Sequence, residues 1–134
     1  MKHLQELKYL KLPNDEFAVF ASGPMAIRGL RENNDIDVIV KEKLWNILSK
    51  KFEVKTKNEG RTKYMQIGEI EVFKDWNPWF NDINELIDSA DIIDGIRFVK
   101  LMYVIEWKSA MGRDKDKEDV KIILKYLEEN KNGN

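Results

Sequence analysis

The chain has 134 residues, the size of one domain, with 43% hydrophobic and 35% charged residues and a formal net charge of −1. It has no cysteine, which excludes disulfides, thiolate metal sites and cysteine nucleophiles, and its single histidine, His3, argues against a histidine-based zinc site or a Ser-His-Asp triad. The charge balance gives no whole-chain basic signal for nucleic acid, and there is neither an apolar run near the roughly 18 residues of a membrane span nor a signal-peptide core in MKHLQELKYLKL, so the expectation is a cytoplasmic protein without a membrane partner.

Leu4, Leu7, Leu10 and Leu12 recur mostly at helical spacing, and Pro13-Asn14-Asp15 ends that helix. A strand over 17–21 follows, apolar throughout and therefore central in a sheet. Ser22-Gly23-Pro24 then opens a helix to about Leu30, with Ser22 or Gly23 as N-cap, Pro24 at the first position and Gly29 as a C-terminal break. Free backbone N–H groups at such a start attract anions, so the turn can hold a phosphate. On the turn alone, an ordinary strand-to-helix connection is the simpler account.

Asp35 to Val40 reads as the second strand. Residues i and i+2 of a strand share a face, so Asp35 and Asp37 stand side by side while Ile36, Val38 and Val40 pack opposite. Adjacent carboxylates in apolar surroundings repel, and oxygen-rich pairs of this kind suit magnesium or manganese. The competing account gives Asp35 a capping role and puts Asp37 on an exposed edge.

A helix over 41–51 carries Leu44, Trp45, Ile47 and Leu48. A third strand over 52–55, a turn over 57–60 and two strands over 62–67 and 69–73, joined at Gly68, come next. Glu69 and Glu71 share one face of the last strand. Glu71, between Ile70 and Val72, fits an interior strand and equally the solvent face of an edge hairpin. KDWNPWF, 74–80, is an aromatic loop whose Trp76 and Trp79 either stack on a base or sugar or, as aromatics more commonly do, pin the loop to the core. A short helix over 81–90 leads to an extended segment over 91–99 with a turn at Asp94-Gly95.

In the helix over 100–111, Leu101, Val104 and Ile105 point to position 108 as the next on the apolar face. Lys108 there either snorkels outward or reaches a site rich in carboxylate and phosphate. A charged turn over 112–116 precedes a last helix over 117–129, with Val120, Ile123, Leu124 and Leu127 at helical spacing, and a frayed tail over 130–134.

Taken in order, these residues resemble the minimal nucleotidyltransferases of the DNA polymerase beta-like superfamily, which include small bacterial and archaeal relatives of abortive-infection toxins and toxin–antitoxin nucleotidyltransferases. The family pattern is an apolar residue, Gly-Ser or Gly-Gly, a short spacer, Asp-x-Asp in a strand, and a third carboxylate on a later strand. Here Ala21-Ser22 stands where Gly-Ser is expected, Asp35-Ile36-Asp37-Val38 fits the acidic strand, and Ile70-Glu71-Val72 fits the third carboxylate. The run from Trp107-Lys108 through Arg113 and Lys115-Asp116 to Asp119 is similar to a lysine, arginine, Lys-Asp, Asp signature that follows the catalytic half. The chain departs from the pattern at Ala21 and in having Glu where Asp is commoner.

The resemblance implies an α/β (α+β) nucleotidyltransferase fold with a mixed central sheet flanked by helices. It implies a single domain over 1–134, with a catalytic-type core at about 17–73 and a C-terminal helical pair within about 82–130. The implied activity moves a nucleoside monophosphate from a nucleoside triphosphate to a hydroxyl of an acceptor, RNA or protein, and releases pyrophosphate. Asp35, Asp37 and Glu71, with Glu69 as the alternative to Glu71, would be the catalytic carboxylates and hold Mg²⁺ or Mn²⁺. Ser22, Gly23, Arg28, Lys108, Arg113 and Lys115 would bind the nucleotide. A small helical partner protein or a second copy is the implied protein partner. The alternative is a non-catalytic module of the same fold, acting as an antitoxin or subunit.

Overall fold

The computed structural model describes residues 1–131, so positions 132–134 of the expected tail lie outside the described residues. The elements in chain order are α1 (Leu4–Tyr9), β1 (Phe17–Val19), α2 (Gly23–Ala26), β2 (Ile36–Val40), α3 (Glu42–Ser49), β3 (Lys55–Lys57), β4 (Thr62–Ile67), β5 (Ile70–Phe73), α4 (Ile83–Asp88), β6 (Asp91–Ile93), β7 (Ile96–Phe98), α5 (Leu101–Met111) and α6 (Asp114–Asn130). All seven strands join one mixed sheet in the order β3-β4-β5-β2-β1-β7-β6. The pairs β1·β7 and β2·β5 are parallel, and the other four are antiparallel. β1 and β2 lie near the middle, as their apolar runs require, because a strand covered on both faces has little room for polar side chains.

Alternation along the strands divides the core in two. Phe17, Val19, Ile36, Val38, Val40, Met65 and Val72 pack on one face against Leu7 of α1 and Leu44, Trp45 and Leu48 of α3. Ala18, Phe20, Ile39 and Phe73 face the other way, toward Leu86 and Ile87 of α4, Trp76 of the aromatic loop and Trp107 of α5. A third cluster, Met25, Leu101, Val104 and Ile123, joins α2, α5 and α6. Each fully buried aliphatic or aromatic side chain stabilises the fold by about 1.5–3 kcal/mol. Among the described residues no helix is long and apolar enough to cross a membrane.

Four elements differ from their sequence expectation. The third strand is 55–57 rather than 52–55, because the Phe52 N–H still closes the end of α3 on the Leu48 carbonyl. The extended segment over 91–99 is a hairpin whose two central residues, Asp94 and Gly95, have φ of 54° and 77°, the backbone that a two-residue type I′ turn demands. The charged turn over 112–116 is instead the start of α6. Gly112, at φ 66°, ends α5, and Asp116 accepts a hydrogen bond from the Arg113 N–H at 3.2 Å, capping the new helix. Of the four apolar positions expected to face inward on α6, only Ile123 is fully buried, while Leu124 and Leu127 are exposed. The inner seam runs through Asp116, Asp119, Ile123 and the half-buried Tyr126, so two of its four positions are charged.

Candidate metal centre

β2 and β5 run parallel and in register, with Asp37 opposite Glu71 and Ile36 opposite Ile70. Directly paired residues share a face, and Asp35 comes round to the same side two residues before Asp37. The result is a cluster in which one oxygen from each of Asp35, Asp37 and Glu71 lies within 4.8 Å of the others. All three residues are half-buried.

The β4–β5 turn decides between the two glutamates. Gly68, at φ 59°, takes the first central position of a two-residue turn and Glu69 the second, which leaves Glu69 exposed and outside the cluster. Its backbone still serves the site, since the Ile36 N–H donates to the Glu69 carbonyl at 3.0 Å and fixes the start of β2. Asn33 holds the approach to Asp35. Its Nδ2 donates to the Asp35 carbonyl at 3.2 Å and to the Lys2 carbonyl at 2.9 Å, and its Oδ1 accepts from the Lys2 N–H at 2.9 Å.

Among the described residues, one cation reaches the carboxylates. Lys57 Nζ lies 2.7 Å from Glu71 Oε1 and also sits over the rings of Tyr64 and Phe73, 4.5 and 4.9 Å from their centroids. Lys57 was absent from the sequence expectation because 57–60 reads as a turn. The available signal was Lys55-Thr56-Lys57, an alternating segment able to pair with 62–64, which is how β3 pairs with β4.

A single ammonium does not balance three carboxylates. Burial, then the charges of Asp35 and Glu71, push Asp37 up to about 7. Burial and the hydrogen bond to Glu71 push Asp35 up to about 6. For Glu71 burial acts upward, but the hydrogen bonds to Asp35 and Lys57 outweigh it and hold the carboxyl below its usual range. The donor set is all oxygen, and with its three carboxylates ionised it carries two more negative charges than Lys57 balances, which fits a hard divalent cation such as Mg²⁺ or Mn²⁺.

The residues expected to bind nucleotide are not gathered around this cluster by any described contact. Ser22 precedes α2 without a side-chain cap bond, α2 spans four residues, and the Gly23 N–H already donates to the Phe20 carbonyl at 3.2 Å. Gly23 has a packing reason: a Cβ there would collide with Cγ1 of Val19. Ala21 has φ 59°, a left-handed backbone that favours glycine. The helical turn continues past Ala26 to Gly29, where the Gly29 N–H bonds to the Ala26 carbonyl and the Leu30 N–H to the Met25 carbonyl, a Schellman end. Arg28 donates to the Pro24 carbonyl at 2.8 Å and to Asp91 at 3.1 Å.

Lys108 does not snorkel outward. It reaches carboxylates, but those of α6, and no described contact joins it to the cluster on the sheet. It is 2% exposed, with Nζ 2.9 Å from Asp119 and 3.7 Å from Asp116. Arg113 Nε donates to Asp116 at 2.6 Å, and that ion pair, against the effect of burial, holds Asp116 below its usual range. Arg31 reaches in from the loop before β2 and donates through Nε to Asp119 at 2.7 Å. The lysine, arginine, Lys-Asp, Asp run is thus assembled, apart from the exposed Lys115, as an ion network inside the helical pair. Trp76 is buried among Phe20, Phe80 and Trp107, with ring centroids 4.8–5.2 Å away, and pins the aromatic loop, while Trp79 stays partly exposed.

A cleft of about 530 Å³ lies at the far end of β2, lined by Val40, Lys41, Lys74 and Asp82 among others, and does not include the carboxylates. Comparison of the chain with protein-family models, with curated proteins and with solved structures gives no match. The functional reading therefore rests on the residues and on the geometry of the acidic cluster.

Proposed function

We propose that the chain is a metal-dependent nucleotidyltransferase of the DNA polymerase beta-like kind, transferring a nucleoside monophosphate from a nucleoside triphosphate to a hydroxyl of an RNA or protein acceptor. The observation that carries this reading is the cluster of Asp35, Asp37 and Glu71, drawn from two parallel strands onto one face with a charge that a single lysine leaves unbalanced. Asp35 and Asp37 hold the cation, and Glu71 completes its oxygen donors. Bound Mg²⁺ or Mn²⁺ supplies charge neutralisation for the triphosphate and a lowered pKa for the attacking hydroxyl. Lys57 fixes the Glu71 rotamer and keeps that carboxyl ionised. The hydroxyl gives up its proton to an ionised carboxylate of the cluster or to water, its oxygen forms a bond to the α-phosphorus, the bond from the α-phosphorus to the oxygen it shares with the β-phosphate breaks, and pyrophosphate leaves. The nucleotidyltransferase fold and a cytoplasmic setting belong to the same proposal.

A second reading has its own support. Arg28, Lys108 and Arg113 are engaged with carboxylates of the chain itself, which leaves fewer cations for a triphosphate. A module that binds a metal or nucleotide without transfer, as an antitoxin or subunit beside a helical partner, is consistent with that engagement. The experiment is incubation with labelled ATP, CTP, GTP or UTP, Mg²⁺ or Mn²⁺, and RNA or protein acceptors. Transfer that disappears when Asp35→Ala and Asp37→Ala are combined supports the enzyme. Transfer that survives both changes contradicts it, and calorimetric Mg²⁺–nucleotide binding without transfer favours the module.

A further inference from the structure

The ion network between α5 and α6 holds one cation more than its carboxylates need for one-to-one pairing. It contains three cations, Arg31, Lys108 and Arg113, and two carboxylates, Asp116 and Asp119. Lys108, Asp116 and Asp119 are at most 2% exposed, and burying such charges is tolerable only when they are paired. Lys108 and Arg113 alone already match the two carboxylates one to one. Arg31 is the surplus cation. Its side chain is 38% exposed, and it comes from neither helix but from the loop that leads into β2.

That loop is short, and it delivers Asp35. Arg31 is fastened to Asp119 of α6, Asn33 is fastened to the Lys2 backbone and to the Asp35 carbonyl, and the Ile36 N–H is fastened to the Glu69 carbonyl. Alternate residues 31, 33 and 35 thus carry an anchor, an anchor and a ligand. Asp35 itself precedes β2 and is outside the paired ladder, unlike Asp37 and Glu71, whose spacing the parallel register sets. Asp35 is the member of the cluster whose position depends on its loop.

We propose that Arg31 is a positioning residue: through its ion pair with Asp119 it holds the 31–35 loop against α6 and sets the gap between Asp35 and the Asp37–Glu71 pair, so that the helical pair governs how tightly the cluster takes a divalent cation. This rests on the cation-binding reading of the cluster, but it assigns a role to Arg31 and α6 that the cluster does not by itself require. Groups that orient metal ligands typically change affinity by about 10–100-fold when removed.

The test uses the full chain, titrated calorimetrically with Mn²⁺, as wild type, Arg31→Gln, Arg31→Lys and Asp37→Asn. Thermal melting in EDTA and amide hydrogen exchange at Ile36 are recorded for each. Arg31→Gln is expected to weaken Mn²⁺ binding about ten-fold and to lower Ile36 protection, with melting little changed because the remaining network is charge-balanced. Arg31→Lys, which keeps the charge, is expected to recover most of the affinity. Unchanged affinity in Arg31→Gln, alongside a wild type that binds and an Asp37→Asn that does not, overturns the role of Arg31 and leaves the cation reading standing. A wild type that does not bind Mn²⁺, or an Asp37→Asn that binds as tightly, overturns both. An affinity loss matched by a collapse in melting temperature for Arg31→Gln and Arg31→Lys alike makes Arg31 a structural residue and also overturns the proposal.

Discussion

Two clusters of charge in this small chain obey opposite rules. In the helical pair, Lys108, Asp116 and Asp119 are almost wholly buried, yet every carboxylate has a cation within ion-pair distance. On the sheet, Asp35, Asp37 and Glu71 are only half-buried, yet three carboxylates share one lysine. The pKa directions record the contrast, with Asp116 held below its usual range and Asp37 pushed up to about 7. Buried charges that are fully partnered hold elements together. Charges left without partners, at a tolerable depth, are where a ligand gains binding energy. The resemblance groups Lys108 and Arg113 with the sheet carboxylates as nucleotide-binding residues, and partner count rather than residue type separates the two clusters.

The sharpest way to break that contrast is to unbalance the helical pair. Asp119→Ala leaves Lys108 buried with only Asp116, 3.7 Å away, and strips Arg31 of its partner. The expected loss is ~3–5 kcal/mol, read from urea denaturation midpoints. A loss below ~1 kcal/mol would show that the network is not structural.

The acidic cluster is expected to behave in the reverse sense. Asp37 in the folded chain has a pKa of about 7, above the ordinary carboxylate value, so the metal-free folded state binds more protons than the unfolded state at intermediate pH. Its stabilising contribution is full below the unfolded pKa and is lost as pH rises through about 7. Asp35, pushed up to about 6, acts in the same direction over a lower window, and Glu71 with Lys57 opposes it. In EDTA the chain should therefore lose stability between pH 5 and pH 8, on the order of 2–3 kcal/mol. Asp37→Asn should flatten that slope and be the more stable protein at pH 8. A wild type whose urea midpoint is constant across this range would contradict the uncompensated charge. At pH 8, Mg²⁺ or Mn²⁺ at about 100 times its dissociation constant should restore ~2.7 kcal/mol to the wild type and nothing to Asp37→Asn.

The smallest expected effect lies in the turn after β1. Ala21 holds a left-handed φ of 59°, and Ala21→Gly should raise stability by ~0.5–1 kcal/mol despite glycine's greater unfolded entropy. Thermal melting checks it, and a loss of stability would mean that Ala21 pays no backbone cost there.

Residue identity carried some of this architecture and not the rest. The shared face of Asp35 and Asp37 follows from strand periodicity alone, and the central place of 17–21 follows from its apolar run. The choice of Glu71 over Glu69 needed the two-residue turn at Gly68-Glu69, which takes Glu69 out of the strand, and the parallel register of β2 and β5, a long-range pairing that sets Glu71 opposite Asp37. Lys57 stayed hidden because the third strand was set three residues early, where Phe52 proves to be closing a helix. Lys108 was legible as an anomaly on an apolar stripe, but its meaning was not. That required seeing that α6 begins at Asp114, which turns Asp116 and Asp119 inward onto the same seam as Ile123. Leu124 and Leu127 then fall outside that seam, although their spacing alone fits a buried face.

The central claim is that the sheet cluster, and not the helical pair, takes up a divalent cation. The most direct measurement is anomalous scattering from crystals grown with Mn²⁺ and a non-hydrolysable nucleoside triphosphate. The account predicts a peak coordinated by Asp35, Asp37 and Glu71, with the triphosphate on its open side. Saturating Mn²⁺ with no peak among these three carboxylates, or with its only peak elsewhere, would contradict it.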